Sequence, residues 1–202
     1  MELRTARLLL REFAPDDWPA VLAYQSDPRY LRFYEWEGRT EAEVRDFVGM
    51  FVGWQGERPR TKYQFALVLP ETGRLIGNCG IRVNDPARRE GNIGYELDPA
   101  HWGRGYATEA ARALLAFGFG DLGLHRVWAH CVAENAASAR VLEKVGLRQE
   151  GRLREHEVFK GRWWDTLLYA ILDRELAGDG ARLSQDDRAT PAPRGGDAGG
   201  TY

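Results

Sequence analysis

Residues 98 to 110 read DPAHWGRGYATEA. A strand ends at Asp98-Pro99, a short turn holds Gly103 and Gly105, and a helix begins at once with small residues. Bare backbone at such a turn lets a ligand approach closely. The first N–H groups of a helix have no internal partner and, with the helix dipole, form an anion site. That site suits a pyrophosphate, with Arg104 and Thr108 as further donors. A plain left-handed turn feeding a helix would read the same way, so the G-x-G pair alone does not decide. Two other phosphate motifs are excluded. No G-x-x-x-x-G-K-S/T occurs, and the third Gly of G-x-G-x-x-G falls on Thr108.

Outward from this turn the chain alternates strands and helices. Upstream, Asn92 to Leu97, Leu75 to Val83 and Tyr63 to Leu69 read as strands, broken at Asn84-Asp85-Pro86 and Thr72-Gly73. Thr40 with Glu43 makes a capping box, predicting a helix from Glu41 to about Trp54. Pro15-Asp16-Asp17 opens an earlier helix, and Arg7 to Phe13 reads as the first strand. Downstream, Ala107, Ala110, Ala111, Leu114 and Leu115 share one face of a helix from Gly105 to Phe119. His125 to Val132 is a strand, and Asn135 to Val145 an amphipathic helix stopped by Gly146. Leu147 to Phe159 and Trp164 to Leu172 close the body. The order implies one α/β domain, a mixed sheet with helices on both faces, over residues 1–177. Residues 178–202 are rich in Gly, Pro, Asp and Arg and are expected to be a disordered tail.

The 202 residues suffice for one sizeable core, and a net charge of −2 gives no general pull toward nucleic acid or anionic membrane. No apolar run reaches the roughly 18 residues of a membrane span, so a cytoplasmic protein is expected. Cys79 and Cys131 sit apart in apolar stretches and read as reduced core residues. The four histidines, His101, His125, His130 and His156, lack metal-ligand spacing, so no metal is expected.

Several stretches together resemble one family. Trp102, Gly103, Arg104, Gly105, Tyr106 and Ala107 are similar to the acetyl-CoA motif of GNAT N-acetyltransferases, Q/R-x-x-G-x-G/A, with Trp102 departing from Gln or Arg. The Trp-Gly-x-Gly-Tyr-Ala-Thr-Glu-Ala wording is closer to the RimJ/RimL branch, which acetylates ribosomal-protein N-termini. Thr5-Ala6-Arg7-Leu8 through Asp27-Pro28, Asn135 to Leu147 and Lys160 to Asp165 resemble that branch's opening, its second cofactor-side helix and its closing strand pair. The resemblance spans roughly residues 4 to 172. It implies a sheet of about seven strands, splayed in the middle between Asn92–Leu97 and His125–Val132. Acetyl-CoA would be the acyl donor. Its pantetheine amides would pair with Leu97, and its pyrophosphate would lie on the N–H groups from Gly103 to Thr108.

The chemistry asks for few parts. The amine must lose a proton, the oxyanion needs a donor, and the leaving thiolate takes a proton. About a tenth of an α-amine is already neutral at pH 7, against under roughly a thousandth of a lysine. Many members use a Tyr as the acid, and here Leu142 stands in its place. The branch implies Ser138 instead, with Asn135 one turn earlier orienting the cofactor arm; a purely local role for Ser138 in the helix start is the alternative. For the base, Glu157 is expected first and Glu96 second, either of which a solvated strand residue would also explain. Glu157→Gln is expected to slow turnover at least tenfold. Glu155 and Glu157 are expected on one strand face, with His156 on the other. Tyr34 and Trp36 are candidates to line the acceptor pocket. Arg140 and Lys144 could approach the 3′-phosphate, with solvated helix charge the favoured reading. The acceptor is a primary amine, foremost a protein or peptide N-terminus. A small amine such as an amino acid, polyamine or amino-sugar drug is the second reading, and a non-catalytic CoA-binding module the third. Monomer and homodimer both stay open.

Overall fold

The computed structural model describes residues 1–176. The expected domain end at 177 and the expected tail, 178–202, lie outside the described residues. Eight strands form one sheet: β1 (Glu2–Arg4), β2 (Leu9–Glu12), β3 (Lys62–Leu69), β4 (Arg74–Asp85), β5 (Glu90–Leu97), β6 (Arg126–Val132), β7 (Arg148–Phe159) and β8 (Arg162–Leu172). Their spatial order is β1-β2-β3-β4-β5-β6-β8-β7. The α-helices that accompany them include α1 (Trp18–Gln25), α2 (Pro28–Leu31), α3 (Glu41–Trp54), α4 (Tyr106–Gly120) and α5 (Ala136–Lys144). Among the described residues no helix is long and apolar enough to cross a membrane.

The sheet is covered on both faces, and β3 shows why. Five consecutive residues, Gln64 to Val68, are buried. Phe65 and Leu67 join Leu114 and Leu115 of α4 in one apolar cluster. Ala66 and Val68 join Val44 and Val48 of α3 in the other. Alternation along one strand thus feeds two cores. Helix α4 packs closely because its inner face is small: a Cβ on Gly118 would meet Ile81 Cδ1 at 2.6 Å. Helix α3 starts on the expected capping box, with Thr40 N–H donating to Glu43 Oε2 at 2.7 Å.

One expectation is corrected at the start of the chain. The single strand Arg7 to Phe13 is instead the second arm of a hairpin, in which Glu2 pairs with Arg11 and Arg4 with Leu9. Thr5 makes the reversal: its N–H donates to Leu8 O at 3.0 Å, and its Oγ1 accepts from Leu8 N at 2.9 Å. The sheet therefore has eight strands rather than about seven. Three residues of β1 were too few to leave a period in the sequence.

The feature that places the site is the seam between β5 and β6. They are parallel, and their register covers only Glu90–Arg126, Gly91–Val127 and Asn92–Trp128. β5 stays paired to β4 through Leu97, and β6 stays paired to β8 through Val132. Ile93–Leu97 and Ala129–Val132 therefore border a gap in the middle of the sheet.

Candidate active site

The turn before α4 has the geometry that its glycines predict. Gly103 has φ 75° and Gly105 φ 82°, both left-handed, where a side chain is strained. Gly105 is the N-cap, and no side chain caps the helix. The N–H groups of Tyr106, Ala107 and Thr108 thus open the helix without a side-chain acceptor. The chemistry fits a diphosphate: an uncapped helix start, bare backbone and cations beside it. An open cleft of about 680 Å³ adjoins this turn, lined by Arg4, Arg7, Thr108, Arg112 and Lys144 among others. Arg140 is not on its wall. The Arg104 side chain is exposed, and its carbonyl accepts from Arg7 Nη1 at 3.0 Å.

The Thr5 to Arg7 stretch owes its place to Glu109, in the first turn of α4. Glu109 accepts from Thr5 Oγ1 at 2.6 Å, Arg7 N at 2.8 Å and Arg7 Nε at 2.7 Å. Burial pushes the Glu109 carboxyl up, but the Thr5 hydroxyl and the Arg7 N–H and guanidinium outweigh it and hold its pKa below the usual range. The opening loop is thereby clasped to the uncapped first turn of α4, and Arg7 also lies over the Tyr106 ring at 4.7 Å.

Trp102 stands where the resembling motif has Gln or Arg. Its indole N–H donates to Leu97 O at 2.8 Å while the residue stays 46% exposed. It thereby fixes the end of β5. A carbonyl has a second lone pair, so Leu97 keeps capacity toward an amide in the gap.

Across the gap, α5 starts with Asn135 as N-cap, its Oδ1 accepting from Ser138 N at 3.1 Å. The Ser138 N–H thus makes a local bond at the helix start. The Ser138 hydroxyl does more. It lies 3.0 Å from the Tyr95 hydroxyl, which also donates to Ser138 O at 3.1 Å. Burial raises the Tyr95 pKa, so the phenol stays protonated. Cys131 joins this group from β6: it is buried and unoxidised, burial raises its pKa, and a hydrogen bond with Ser138 opposes that rise.

The opposite side chain of β5 opens a second space. A cavity of about 240 Å³ is lined by Glu96, Tyr34, Phe47, Met50, Arg82 and Tyr95 among others. Tyr95 thus belongs to both the cavity wall and the Ser138 pair. Glu96 Oε2 accepts from Tyr24 Oη at 3.2 Å, Gln25 Nε2 at 3.0 Å and Asn78 Nδ2 at 2.9 Å. Burial, and next the Glu96 charge, raise the pKa values of Tyr24, Tyr30 and Tyr34, so all three phenols stay protonated. Tyr34 is on the wall of this cavity. Trp36 stands behind it, with ring centroids 4.7 Å apart, and is not on the cavity wall.

Glu157 lies in a different cluster. It pairs with His156 Nδ1 at 3.2 Å, with its side chain 45% exposed. His156 Nδ1 also lies 3.1 Å from Thr166 Oγ1. The expected alternation of Glu155, His156 and Glu157 is corrected here. The register jumps from Leu153–Thr166 to Glu157–Trp164, so Arg154, Glu155 and His156 bulge opposite one residue, with Glu155 at φ 52°. The bulge brings His156 and Glu157 together on one side. His130, from β6, faces the same cluster: burial lowers its pKa, the Glu157 charge opposes that, and His156 adds to it.

Sequence reasoning missed Tyr95, Arg82, Asn78, Gln64, Tyr24, Gln25 and His130. Only Tyr95 carried a readable signal, since it lies two residues before Leu97 and so shares its face.

A sheet parted between two parallel strands, an uncapped glycine-led helix start at one end of the gap and a carboxylate-bearing cavity at the other define an acyl-CoA-dependent acyltransferase. The comparisons agree. The family model described as an acetyltransferase (GNAT) domain matches residues 7–148. The uncharacterized N-acetyltransferase p20 of Bacillus licheniformis is 34% identical over 179 residues, covering 87% of this chain and 98% of that protein. The crystal structure of a GNAT-family acetyltransferase from Bacillus anthracis superposes with a TM-score of 0.76 at 34% identity, over 87% of this chain and 100% of that one. Two further matches differ in acceptor. The Escherichia coli ribosomal protein uS5 alanine N-acetyltransferase is 24% identical over 85% of this chain and 90% of its own. The spermidine N-acetyltransferase of Vibrio cholerae, solved with CoA and spermine, shares the fold at 20% identity and TM-score 0.73, over 86% and 99%. The chain belongs to the GNAT acetyltransferase family. It is an N-acetyltransferase, and acetyl-CoA is its acyl donor.

Proposed function

We propose that the acceptor is the α-amine of a peptide or protein N-terminus, acetylated by direct attack in a ternary complex in the cytoplasm. One observation carries the direct attack, and the branch resemblance supports the N-terminal acceptor: the cavity holding Glu96 and the gap bordered by Ser138 meet at a single side chain, Tyr95. An amine at Glu96 and a thioester in the gap would then be neighbours. Acetyl-CoA supplies the activated acyl group, held by the α4 start, with Leu97 and Asn135 beside its arm. Glu96 binds the amine through Oε1, which takes no hydrogen bond among the described residues, and accepts its proton as the N–C bond forms. As the C–S bond breaks, the Ser138–Tyr95 hydroxyl pair supplies a proton to sulfur. Glu157, with His156 and His130, is the second candidate for the base. The exposed pairing of Glu157 with His156 places it lower than Glu96 in this reading.

The test is thiol release from acetyl-CoA with three pools: peptides with free N-termini, N-blocked peptides containing lysine, and small amines. Release with the first pool alone is the expected result. Its rate should climb with pH to about 8 and then level, as α-amines titrate near 7.7–8.0, whereas a lysine acceptor would keep gaining to about 10. Release confined to small amines would overturn the reading.

A further inference from the structure

The acceptor cavity contains a cation without an anion. Arg82 lines it from β4, half-buried, and its Nη2 donates to Gln64 Oε1 at 3.2 Å. Among the described residues no carboxylate oxygen comes within the 4.0 Å of an ion pair. Two other shielded arginines are paired with carboxylates, whereas Arg39, also half-buried, lies over the Trp36 and Phe47 rings at 4.0 and 4.6 Å. Arg11 meets Asp17 at 2.7 Å with 31% of its side chain exposed, and Arg126 meets Glu150 at 2.6 Å with 24% exposed. A half-desolvated cation is costly unless an anion joins it.

The fold holds Arg82 and Glu96 apart rather than letting them neutralise each other. Arg82 is in register with Asn92, and Asn78 with Glu96, with the pair Gly80–Gly94 between them. A Cβ at Gly94 would lie 3.9 Å from Arg82 Nη1, so the guanidinium reaches back over the bare row. A line of amides spans the same floor. Gln64 Nε2 donates to Asn78 Oδ1 at 2.7 Å, and Asn78 Nδ2 donates to Glu96 Oε2 at 2.9 Å. Gln64 and Asn78 are buried, at 5% and 2% exposure, so both amides are fixed in orientation. The result is a carboxylate at one end and a guanidinium about two residues along, on the order of 7 Å. Phe47, Met50, Phe51 and Tyr34 wall the space between.

We propose that the acceptor carries a carboxylate close to its reactive amine, with Glu96 receiving the amine and Arg82 the carboxylate. Resting on the N-terminal reading, this names the acceptor's first residue as Asp or Glu. The same chemistry could come from the α-carboxylate of a free amino acid. A polyamine has no group for Arg82.

The experiment measures kcat/KM by thiol release for peptides that begin with Asp, Asn, Glu, Gln and Ala, and for free aspartate and glycine. It uses the wild-type chain, Arg82→Gln and Arg82→Lys. Each ratio of acid to amide is taken within one variant, so partial loss of folded protein cancels. The expected result is an Asp:Asn and Glu:Gln preference of about tenfold or more, falling to about one in Arg82→Gln and partly restored in Arg82→Lys. Turnover of the free amino acids alone, lost in Arg82→Gln, would sink the N-terminal reading yet uphold the role of Arg82. Equal rates for acid and amide peptides in the wild type, or a preference that survives Arg82→Gln, would overturn the proposal while leaving N-terminal acetylation standing.

Discussion

Glu96→Gln tests the chemical role proposed for this carboxylate apart from its structural one. Its Oε2 is the meeting point of three donors, from Tyr24, Gln25 and Asn78. Glutamine can present its amide oxygen to all three and turn its NH2 to the cavity, so the shape is kept. What is lost is charge. Charge-assisted bonds are about twice as strong as neutral ones, which contribute roughly 1 kcal/mol each. Part of that loss is offset because a neutral amide is easier to bury than a carboxylate. The net destabilisation is about 1–2 kcal/mol, or a Tm lower by about 2–8 °C for a domain of this size. Glu96→Ala is different in kind. It strands the donors of Gln25, Asn78 and Tyr24, which are 0%, 2% and 3% exposed. At about 1–3 kcal/mol for each unmade bond, and less than additive, it should cost about 3–5 kcal/mol and some 6–20 °C.

Turnover reads the other role. General bases contribute roughly 10²–10⁴ in rate. An α-amine that is about a tenth neutral at pH 7 asks for the low end of that range. Glu96→Gln should therefore lower kcat at least tenfold, about 1.4 kcal/mol of barrier, with acetyl-CoA affinity little changed. The assay is thiol release with a free-N-terminus peptide at saturating acetyl-CoA, with calorimetry for the cofactor and a melting curve for the fold. A variant that melts as calculated yet turns over within twofold of the wild type would refute Glu96 as the base. Glu157→Gln, run beside it, would then be the variant expected to fall tenfold.

Two further outcomes follow from the cofactor side. Glu109→Gln should lower Tm by about 2–8 °C at pH 7, because it loosens the clasp on Thr5 and Arg7, half of which is exposed and so discounted. The Glu109 pKa is depressed in the folded chain, so its contribution is present above the unfolded value near 4.3 and fades as pH falls through the folded value. The gap in Tm between wild type and variant should therefore shrink as pH falls below the unfolded value near 4.3, and a gap independent of pH would contradict the assignment. Gly105→Ala forces a Cβ onto a residue at φ 82°, costing roughly 1–2 kcal/mol, and puts it 3.4 Å from Arg7 Nη2. Acetyl-CoA binding, measured by calorimetry, should weaken about tenfold; unchanged binding would remove the α4 start as the pyrophosphate site.

The cofactor side was readable from sequence because its requirements are local. A left-handed turn needs glycine at particular positions, and Gly103 and Gly105 announce it within three residues. The period of a strand likewise puts Tyr95 with Leu97 and Glu96 opposite. The acceptor side was not readable in the same way, because its meaning lies in partners far apart in the chain. Glu96 is held by residues 71 and 72 positions earlier, and the clasp on Glu109 spans 102 to 104. No window shows such contacts. Where the period itself was used beyond its range it failed: two extra residues in β7 turned His156 onto the side of Glu157. Arg82 is the sharpest case. In sequence it is one arginine among many, on a strand edge beside Asn84 and Asp85. Only the fold shows that its neighbours in space are amides and aromatic rings, that Glu96 is pinned by other donors, and that Gly80 makes room for the Gln64 amide while Gly94 makes room for the guanidinium. Acetyl transfer needs one carboxylate in this cavity and no arginine. On the reading proposed above, the unpaired cation therefore bears on which amine is chosen, and the acid-to-amide ratios in Arg82→Gln are the measure of it.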